Sequence, residues 1–529
     1  SWATAPWPGC QIIAYGASTA GHQSLHLCVH VGSGGSVATV AAESAGRGPP
    51  PNLVTIVLDC VRAESVAAFS GGAGAPTPEL DRLVSRGATL FSHAIAPGNW
   101  TVPSHMSIMT GTYPWVHRRR TFERGDPPME TIAMWLRRRG YATALLSEEA
   151  HLTGGYGLEA GYDEKFSRRI GTSDENRTTV NRTLGHAKFL YSDPFRNLLA
   201  GVPPLAVPLT TLNFAQETAY KRDVCGDYLL DDWSRWLARR PKDQPFHAFF
   251  NFVDGHEPYP ELAEGLMDRF SRRGYAQIPR FYLLSVPGLK DRVPWDRVRA
   301  AYQRAITEAD RKVGQVMALL ESAGERDRTW VMVTSDHGQS FGEGGNIYHG
   351  CGASDSVLRV PLWVVPPGGV DVPKRVDRWV TLCDVSSWMK SAALGRVPYD
   401  AEGRPALPFP VSPPDRTTIL AEGGPASDPN RSLLGIRGEE AWNRRQIAAY
   451  RGREKWTVDL VNGDVRHWPN GDTGAAALPP PLEGHEATEA KHAVFGIFSA
   501  ADVVRYAGDG RELVRDSLDD VRMKSWGYD

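Results

Sequence analysis

Uninterrupted apolar runs, separated by longer stretches of helical period, set the pattern of this chain. Leu53-Val54-Thr55-Ile56-Val57-Leu58 is a short β-branched run without polar alternation, as expected of a strand buried on both faces, and it delivers Asp59 at its C-terminal end. Thr77-Pro78-Glu79-Leu80-Asp81-Arg82-Leu83 opens a helix with cap, proline and acid in the favoured order, and Gly87 closes it. Glu130 to Arg139 is helical up to Gly140, and a strand follows over Tyr141 to Leu146. Tyr228 to Arg239 is an amphipathic helix, and Phe246 to Val253 is a buried strand ending in Asp254-Gly255-His256-Glu257-Pro258-Tyr259. A long helix runs from about Val298 to Ala323. The strand Thr329 to Thr334 then ends in Ser335-Asp336-His337-Gly338, and Leu358 to Val365 gives one more. Strands alternating with helices predict an α/β fold with a largely parallel sheet.

Asp59, Asp254, His256, Asp336 and His337 all fall just after strand C-termini, where open α/β sheets place their ligand crevice. The stretch Asn99 to Gly111 adds a hydroxyl to this group. Pro103 suits a first helical turn and Gly111 a left-handed cap, so Thr101 lies at a helix N-terminus, where free N–H groups and the dipole favour an anion. His105, four residues on, shares its helix face. Taken alone, Thr101 reads as a helix cap and each histidine as a packed side chain.

Residues 1–50 are rich in Gly, Ala and Ser, end in Pro49-Pro50-Pro51, and read as a low-complexity, poorly ordered extension. Residues 51–410 read as the catalytic α/β domain, with an irregular insertion at about 170–220. Residues 411–529 read as a smaller α/β subdomain, with strands near 417–421 and 455–458 and a helical tail from Glu512 to Trp526. The net charge of −2 over 529 residues gives no global field for nucleic acid, and no apolar run approaches a membrane span. Six scattered cysteines without a CxxC pair form no readable disulfide framework or cysteine zinc site, which suits a reducing, cytoplasmic setting. The start at Ser1, without a methionine, leaves room for an export leader upstream. The runs Arg118-Arg119-Arg120 and Arg137-Arg138-Arg139 read as solvated faces; the first has a second reading, as a contact for an anionic substrate.

Asp59, Asp336 and His337 are oxygen and imidazole donors that suit a divalent cation (Mn, Zn, Mg or Ca), and with Thr101 they make a four-ligand site in which the cation activates the hydroxyl. Cys60 has two readings, a soft ligand favouring zinc or a small residue packed behind Asp59. His256 and His349 are candidates for binding the anion and protonating the leaving group. His105 is a candidate base for Thr101 or a hydrogen-bond partner for the anion.

These segments, in this order, resemble the sulfatases. The resemblance rests on Asn52 to Asp59, Thr77 to Leu83, Thr101-Val102-Pro103-Ser104-His105, Thr110-Gly111-Thr112-Tyr113-Pro114, Asp254 to Tyr259 and Thr334 to Gly338, with Leu358-Arg359-Val360-Pro361-Leu362 and Trp526-Gly527-Tyr528 thinner matches. It covers about residues 50 to 395 well. It implies the alkaline phosphatase superfamily fold, a sandwich around a mostly parallel central sheet, with one metal ion. It also implies metal ligands at Asp59, Asp336 and His337, the nucleophile at Thr101, ester-binding histidines at His256 and His349, and Arg62 as a substrate-binding arginine or an ion-pair partner. The chain departs from the family at three places. Thr101 replaces the Cys or Ser that becomes formylglycine, His105 replaces the arginine of that motif, and Cys60 stands where many members carry a second acid. The Thr-x-Pro-Ser-His motif is similar to a sulfatase-like branch without formylglycine. The expected activity is hydrolysis of a small anionic phosphate or sulfate ester through Thr101. The alternatives are transfer of a phosphoryl group to an alcohol through the same intermediate, as in phosphoethanolamine transferases, and a non-catalytic binding protein on this scaffold.

Overall fold

The computed structural model describes residues 10–19, 22–31, 39–43, 49–120, 124–167, 227–257, 259, 295–343, 347–350, 352–401, 403, 418–424, 446–459, 463–469, 471 and 479–495. Two compact units divide the chain, Ser1–Pro50 and Pro51–Asp529. In the first, β1 (Cys10–Thr19), β2 (His22–Val31) and β3 (Thr39–Glu43) form an antiparallel three-stranded sheet in the order β1-β2-β3. These strands lie within the stretch read from composition as a low-complexity extension. Leu25, Leu27, Val29 and Val31 alternate with His26, Cys28 and His30, a period-two signal that the Gly and Ser content of the flanking residues obscures. The expected insertion at 170–220, the helical tail and Trp526-Gly527-Tyr528 lie outside the described residues.

The second unit is built on β4 (Asn52–Leu58), α1 (Pro78–Ser85), β5 (Thr89–Ile95), α2 (Thr101–Thr110), α3 (Pro114–His117), α4 (Ile132–Arg137), β6 (Ala142–Ser147) and β7 (Glu164–Phe166). It continues with α5 (Tyr228–Arg239), β8 (Phe246–Phe252), α6 (Trp295–Ser322), β9 (Thr329–Thr334), β10 (Ser340–Phe341) and β11 (Ile347–Tyr348). Next come α7 (Asp355–Leu358), β12 (Arg359–Val360), β13 (Leu362–Val365), β14 (Arg375–Thr381) and α8 (Cys383–Ala393). Last are β15 (Thr418–Gly423), β16 (Gln446–Arg451), β17 (Glu454–Asp459), β18 (Val465–Trp468) and α9 (Gly484–Phe495).

A nine-stranded sheet runs β12-β5-β13-β9-β4-β8-β6-β7, with β14 added on β5. All its strands except β12 and β13 point the same way. The strand expected over Leu358 to Val365 is split. Leu358 ends α7, and Pro361, which has no N–H for the ladder, separates β12 from β13. The central strands explain their unbroken apolar runs. Val54, Ile56 and Leu58 of β4 face a core shared with α1, α5 and α6, while Leu53 and Val57 face one shared with α2, α4 and α8. Helices therefore cover both faces, which is why no polar alternation appears. The helix at 78–85 begins with Pro78 as expected, but Thr77 makes no capping bond. Asp310 of α6 accepts from the N–H groups of Glu79 (3.0 Å) and Leu80 (2.7 Å) instead.

A smaller antiparallel sheet, β15-β16-β17-β18, packs with α3, α8 and α9. Its first strand braces the loop before α2: Glu422 N–H donates to the Pro97 carbonyl at 2.8 Å, and Asn99 Nδ2 donates to the carbonyls of Gly352 and Gly424.

The buried histidines of this core carry a prediction. His247 on β8 is fully buried, neither ring nitrogen has a hydrogen-bond partner, and burial lowers its pKa from 6.5 to about 3. The imidazole is neutral when folded and free to protonate when unfolded, so its contribution is intact above pH 6.5 and is lost as pH falls. At pH 5 the loss is about 2 kcal/mol. Urea unfolding at pH 7.5 and pH 5 should show that penalty in the native chain and a smaller one in His247→Leu.

Candidate active site

Three adjacent strands, β8, β4 and β9, end side by side, and the residues just past them form one cluster. The chain leaves β4 through Asp59 and then Cys60, whose φ of 64° is left-handed. Such a backbone is costly for a non-glycine residue and persists only where neighbours fix it. Here the Cys60 N–H meets Asp336 Oδ1 at 3.3 Å, the Tyr302 hydroxyl donates to the Cys60 carbonyl at 2.7 Å, and the Val61 N–H donates to Ser335 Oγ at 2.9 Å. Gly255, beyond β8, passes so close that a Cβ there would lie 2.6 Å from the Asp59 carbonyl oxygen. Only glycine fits between the two strand ends.

From the opposite side comes α2. Its N-cap is Trp100 in extended conformation, its first residue is Thr101, and Gly111 ends it in the left-handed conformation the sequence calls for (φ 74°). The hydroxyl of Thr101, a buried residue, lies 3.4 Å from His337 Nε2. His337 Nδ1 faces the Gly338 carbonyl at 2.9 Å, so Nδ1 carries the proton and the Nε2 lone pair points into the cluster. That lone pair is 3.8 Å from Asp59 Oδ1 and 3.3 Å from Asp336 Oδ2. Both Asp59 oxygens and Asp336 Oδ2 are buried without a hydrogen bond.

Electron-rich atoms crowded together in this way fit a divalent cation, because spacings of 3.3–3.8 Å match the edges of a coordination shell with bonds near ~2.1 Å. The electrostatics agree. Burial, reinforced by Asp336, raises Asp59 from 3.8 to about 6, partly opposed by His256 and His337. Burial also pushes Asp336 upward, but His337 and His105 outweigh it and hold that carboxyl below its ordinary range.

His105 occupies the cluster's floor. Its Nδ1 faces the Thr101 backbone carbonyl (3.0 Å) and Asp336 Oδ2 (3.3 Å), and its Nε2 meets Asn251 Nδ2 (3.2 Å). These contacts aim it at the helix carbonyl and the carboxylate rather than at the Thr101 hydroxyl. Arg62 takes the second of its two readings in its contacts. Its guanidinium pairs with Glu343 (3.0 Å) and Glu64 (3.2 Å), donates to Ser65 Oγ, and stacks over Phe341, so it acts as an ion-pair partner within the fold. His256 and His349 do come together on the cluster's open side, with ring centroids 4.8 Å apart, and His349 stacks on His337 at 4.6 Å. Burial lowers the His256 pKa, but Glu257 and Asp59 outweigh it and leave the imidazole above its ordinary value.

Sequence reading missed two groups. Glu149 and His151 follow β6 by the same strand-end rule; they pair with each other and their charges reach His256. Lys312 interrupts the apolar face of α6, between Ala309 and Val316, which is the signal it offered. Fully buried, its ammonium donates to Glu148 (2.7 Å) and Asp254 (2.8 Å), and Glu148 accepts from the Val253 N–H. This triad ties β6 to the loop that carries His256. Lys312→Met leaves two buried carboxylates without their cation and should cost about 3–5 kcal/mol in urea unfolding.

The fold and the cluster define an ester hydrolase of the alkaline phosphatase superfamily. Residues 51–386 match the Sulfatase family model, and the chain belongs to that family. It is similar to an arylsulfatase of Clostridium perfringens, 23% identical over 386 residues, covering 67% of this chain and 77% of that protein. A mouse steryl-sulfatase is 28% identical over 400 residues, covering 64% of this chain and 60% of that protein. Among solved structures, the phosphonate monoester hydrolase of Agrobacterium radiobacter shares the fold at a TM-score of 0.52 and 19% identity, covering 90% of this chain and 96% of that one. The sulfatase family is generally dependent on a divalent metal, and the donor set described above is suited to one. No helix among the described residues is long and apolar enough to cross a membrane.

Proposed function

We propose that this sulfatase-family chain hydrolyses phosphate or sulfate esters with the unmodified hydroxyl of Thr101 as nucleophile. The observation that carries this reading is the Thr101 hydroxyl at the N-terminus of α2, 3.4 Å from His337 Nε2, which itself lies 3.8 Å from Asp59 Oδ1 and 3.3 Å from Asp336 Oδ2, oxygens without a hydrogen bond. Its chemistry separates it from formylglycine. An aldehyde requires a CH2 bearing the heteroatom, whereas oxidation of the secondary alcohol of threonine would give a ketone. Asp59, Asp336, His337 and Thr101 would hold one divalent cation, and their mixed oxygen and imidazole set favours Mn²⁺ or Zn²⁺ over Ca²⁺ or Mg²⁺. When bound, the cation supplies the positive charge that acidifies the hydroxyl and offsets charge developing on the ester.

The chain's own groups do the rest. The N-terminal N–H groups of α2 receive the anionic oxygens. Thr101 Oγ, its proton released to solvent, attacks phosphorus or sulfur in line, and the bond from that atom to the alcohol oxygen breaks. His256, whose pKa Glu257 and Asp59 hold above its ordinary value, gives its proton to that oxygen, with His349 beside it on the same side. Water then attacks the Thr101 ester, yielding free phosphate or sulfate and restoring the hydroxyl. His105, through its bonds to the Thr101 carbonyl and Asp336, fixes the helix end against the carboxylate.

The test is turnover of matched 4-nitrophenyl phosphate, phosphonate and sulfate with Mn²⁺ or Zn²⁺ supplied. The expected result is nitrophenol released one for one with inorganic anion, or with phosphonate from the phosphonate ester, and loss of turnover on chelation. A new ester formed with an added alcohol in place of the free anion would establish a transferase. Silence toward all three from metal-loaded protein would overturn the reading.

A further inference from the structure

We propose that Cys60, His256, Glu257 and His349 form a second cation site, selective for a thiophilic ion such as Zn²⁺, beside the one assigned to Asp59, Asp336 and His337. One ligand atom from each of the four lies within 4.8 Å of the others. Cys60 Sγ is 3.5 Å from His349 Nδ1, His349 Nδ1 is 3.8 Å from Glu257 Oε2, and His256 Nδ1 is 3.6 Å from the same oxygen. Tetrahedral zinc with bonds of ~2.0–2.3 Å puts its ligand atoms roughly 3.3–3.6 Å apart, so small side-chain movements close the shell.

The donor set is one thiol, two imidazoles and one carboxylate, a composition zinc takes and Ca²⁺ or Mg²⁺ does not. Cys60, on its left-handed backbone, places its thiol 3.5 Å from His349 Nδ1 and 3.8 Å from His337 Nδ1. Gln339 borders the group, its Oε1 3.0 Å from His349 Nδ1 and its Nε2 donating to Glu257; a cation takes that Nδ1 in place of the amide oxygen, displacing its proton. Cys60 and His349 close the inner side, while His256 and Glu257 are partly exposed on the other, which gives a cation an entry path. The two sites draw on different atoms. His337 gives Nε2 to the first, and its Nδ1 is committed to the Gly338 carbonyl.

In its effect on turnover the inference rests on the preceding reading. Zinc on one ring nitrogen holds the imidazole neutral and takes the place of the imidazolium proton that the leaving alcohol needs, so filling the second site inhibits the Mn²⁺-loaded enzyme. The binding itself stands without turnover.

Cobalt titration of the metal-free full chain tests it, read by elemental analysis and by the near-ultraviolet charge-transfer band of thiolate on Co²⁺. The native chain should take two equivalents, with the band following the second. Cys60→Ser should take one equivalent and show no band. His349→Ala should lose the band, whereas Asp59→Asn should lose the other equivalent and keep it. Circular dichroism on each variant confirms that the loss belongs to the site and not to unfolding. One equivalent and no band in the native chain would overturn the second site and leave the Thr101 mechanism standing. A band that survives His349→Ala and vanishes in Asp59→Asn would place the thiolate on the first cation and overturn it equally. A band retained in Asp59→Asn, together with a metal-loaded native chain that turns over no ester, would support the second site while the hydrolase reading failed.

Discussion

Thr101→Ala should abolish turnover, by about 10⁴-fold or more, while leaving the folded chain and its metal content in place. The side chain is buried at the start of α2, and its hydroxyl makes one contact with the site, to His337. Removing a methyl and a hydroxyl there costs the fold about 1 kcal/mol, a small fraction of the stability of a core that spans both faces of a nine-stranded sheet. The catalytic loss is of another order, because without the oxygen there is no covalent intermediate and water must attack the ester directly. Thr101→Ser keeps an oxygen in the same place and should retain a measurable part of the rate. Near-native activity in Thr101→Ala would place the attacking oxygen elsewhere.

Asp59→Asn should have opposite effects on stability with and without metal. In the chelated protein, Asp59 is a buried carboxylate with no hydrogen bond, held near pKa 6 by burial and by Asp336. An acid raised above its unfolded value stabilises the fold at low pH, and that contribution is lost as pH rises through 6. At pH 7.5 the charge is a burden, and Asp59→Asn relieves it: the chelated variant should unfold at a higher temperature than the chelated native chain. Adding Mn²⁺ or Zn²⁺ should then stabilise the native chain strongly and the variant little, with turnover of the variant down by about 10³-fold or more. Thermal unfolding with and without chelator at pH 7.5 measures both arms. Equal stabilisation of the two proteins by metal would remove Asp59 from the cation's ligands.

Most of what positions the site was legible because it depends on local rules. The buried strands over 53–58, 246–252 and 329–334 announce themselves as apolar runs, and a parallel sheet brings their polar ends together without further information. Thr101 and Gly111 could be placed at the two ends of one helix from Pro103 and the need for a left-handed cap. What stayed hidden depends on partners distant in sequence. Nothing near Thr77 reveals that Asp310, on a helix more than two hundred residues away, does its capping work. The position of Arg62 beside Asp59 suggests substrate binding, and only Glu64 and Glu343 show that its charge is already matched. His105 shares a helix face with Thr101, as its spacing requires, but a face does not say which atom is met. The ring turns to the backbone carbonyl and to Asp336, and leaves the hydroxyl to His337. In the first fifty residues, glycine and serine content masks an alternation in the segments that pair as strands.

The most direct measurement is the mass of the intact protein during turnover. With metal supplied and 4-nitrophenyl phosphate or sulfate in excess, rapid acid quenching should trap a species heavier by one phosphoryl or sulfuryl group. Peptide mapping should place that group on Thr101, and the species should be absent from Thr101→Ala. Before substrate is added, the peptide carrying Thr101 should have the mass of unmodified threonine. A covalent adduct on any other residue would contradict the assignment of the nucleophile, as would full turnover by the Thr101→Ala protein.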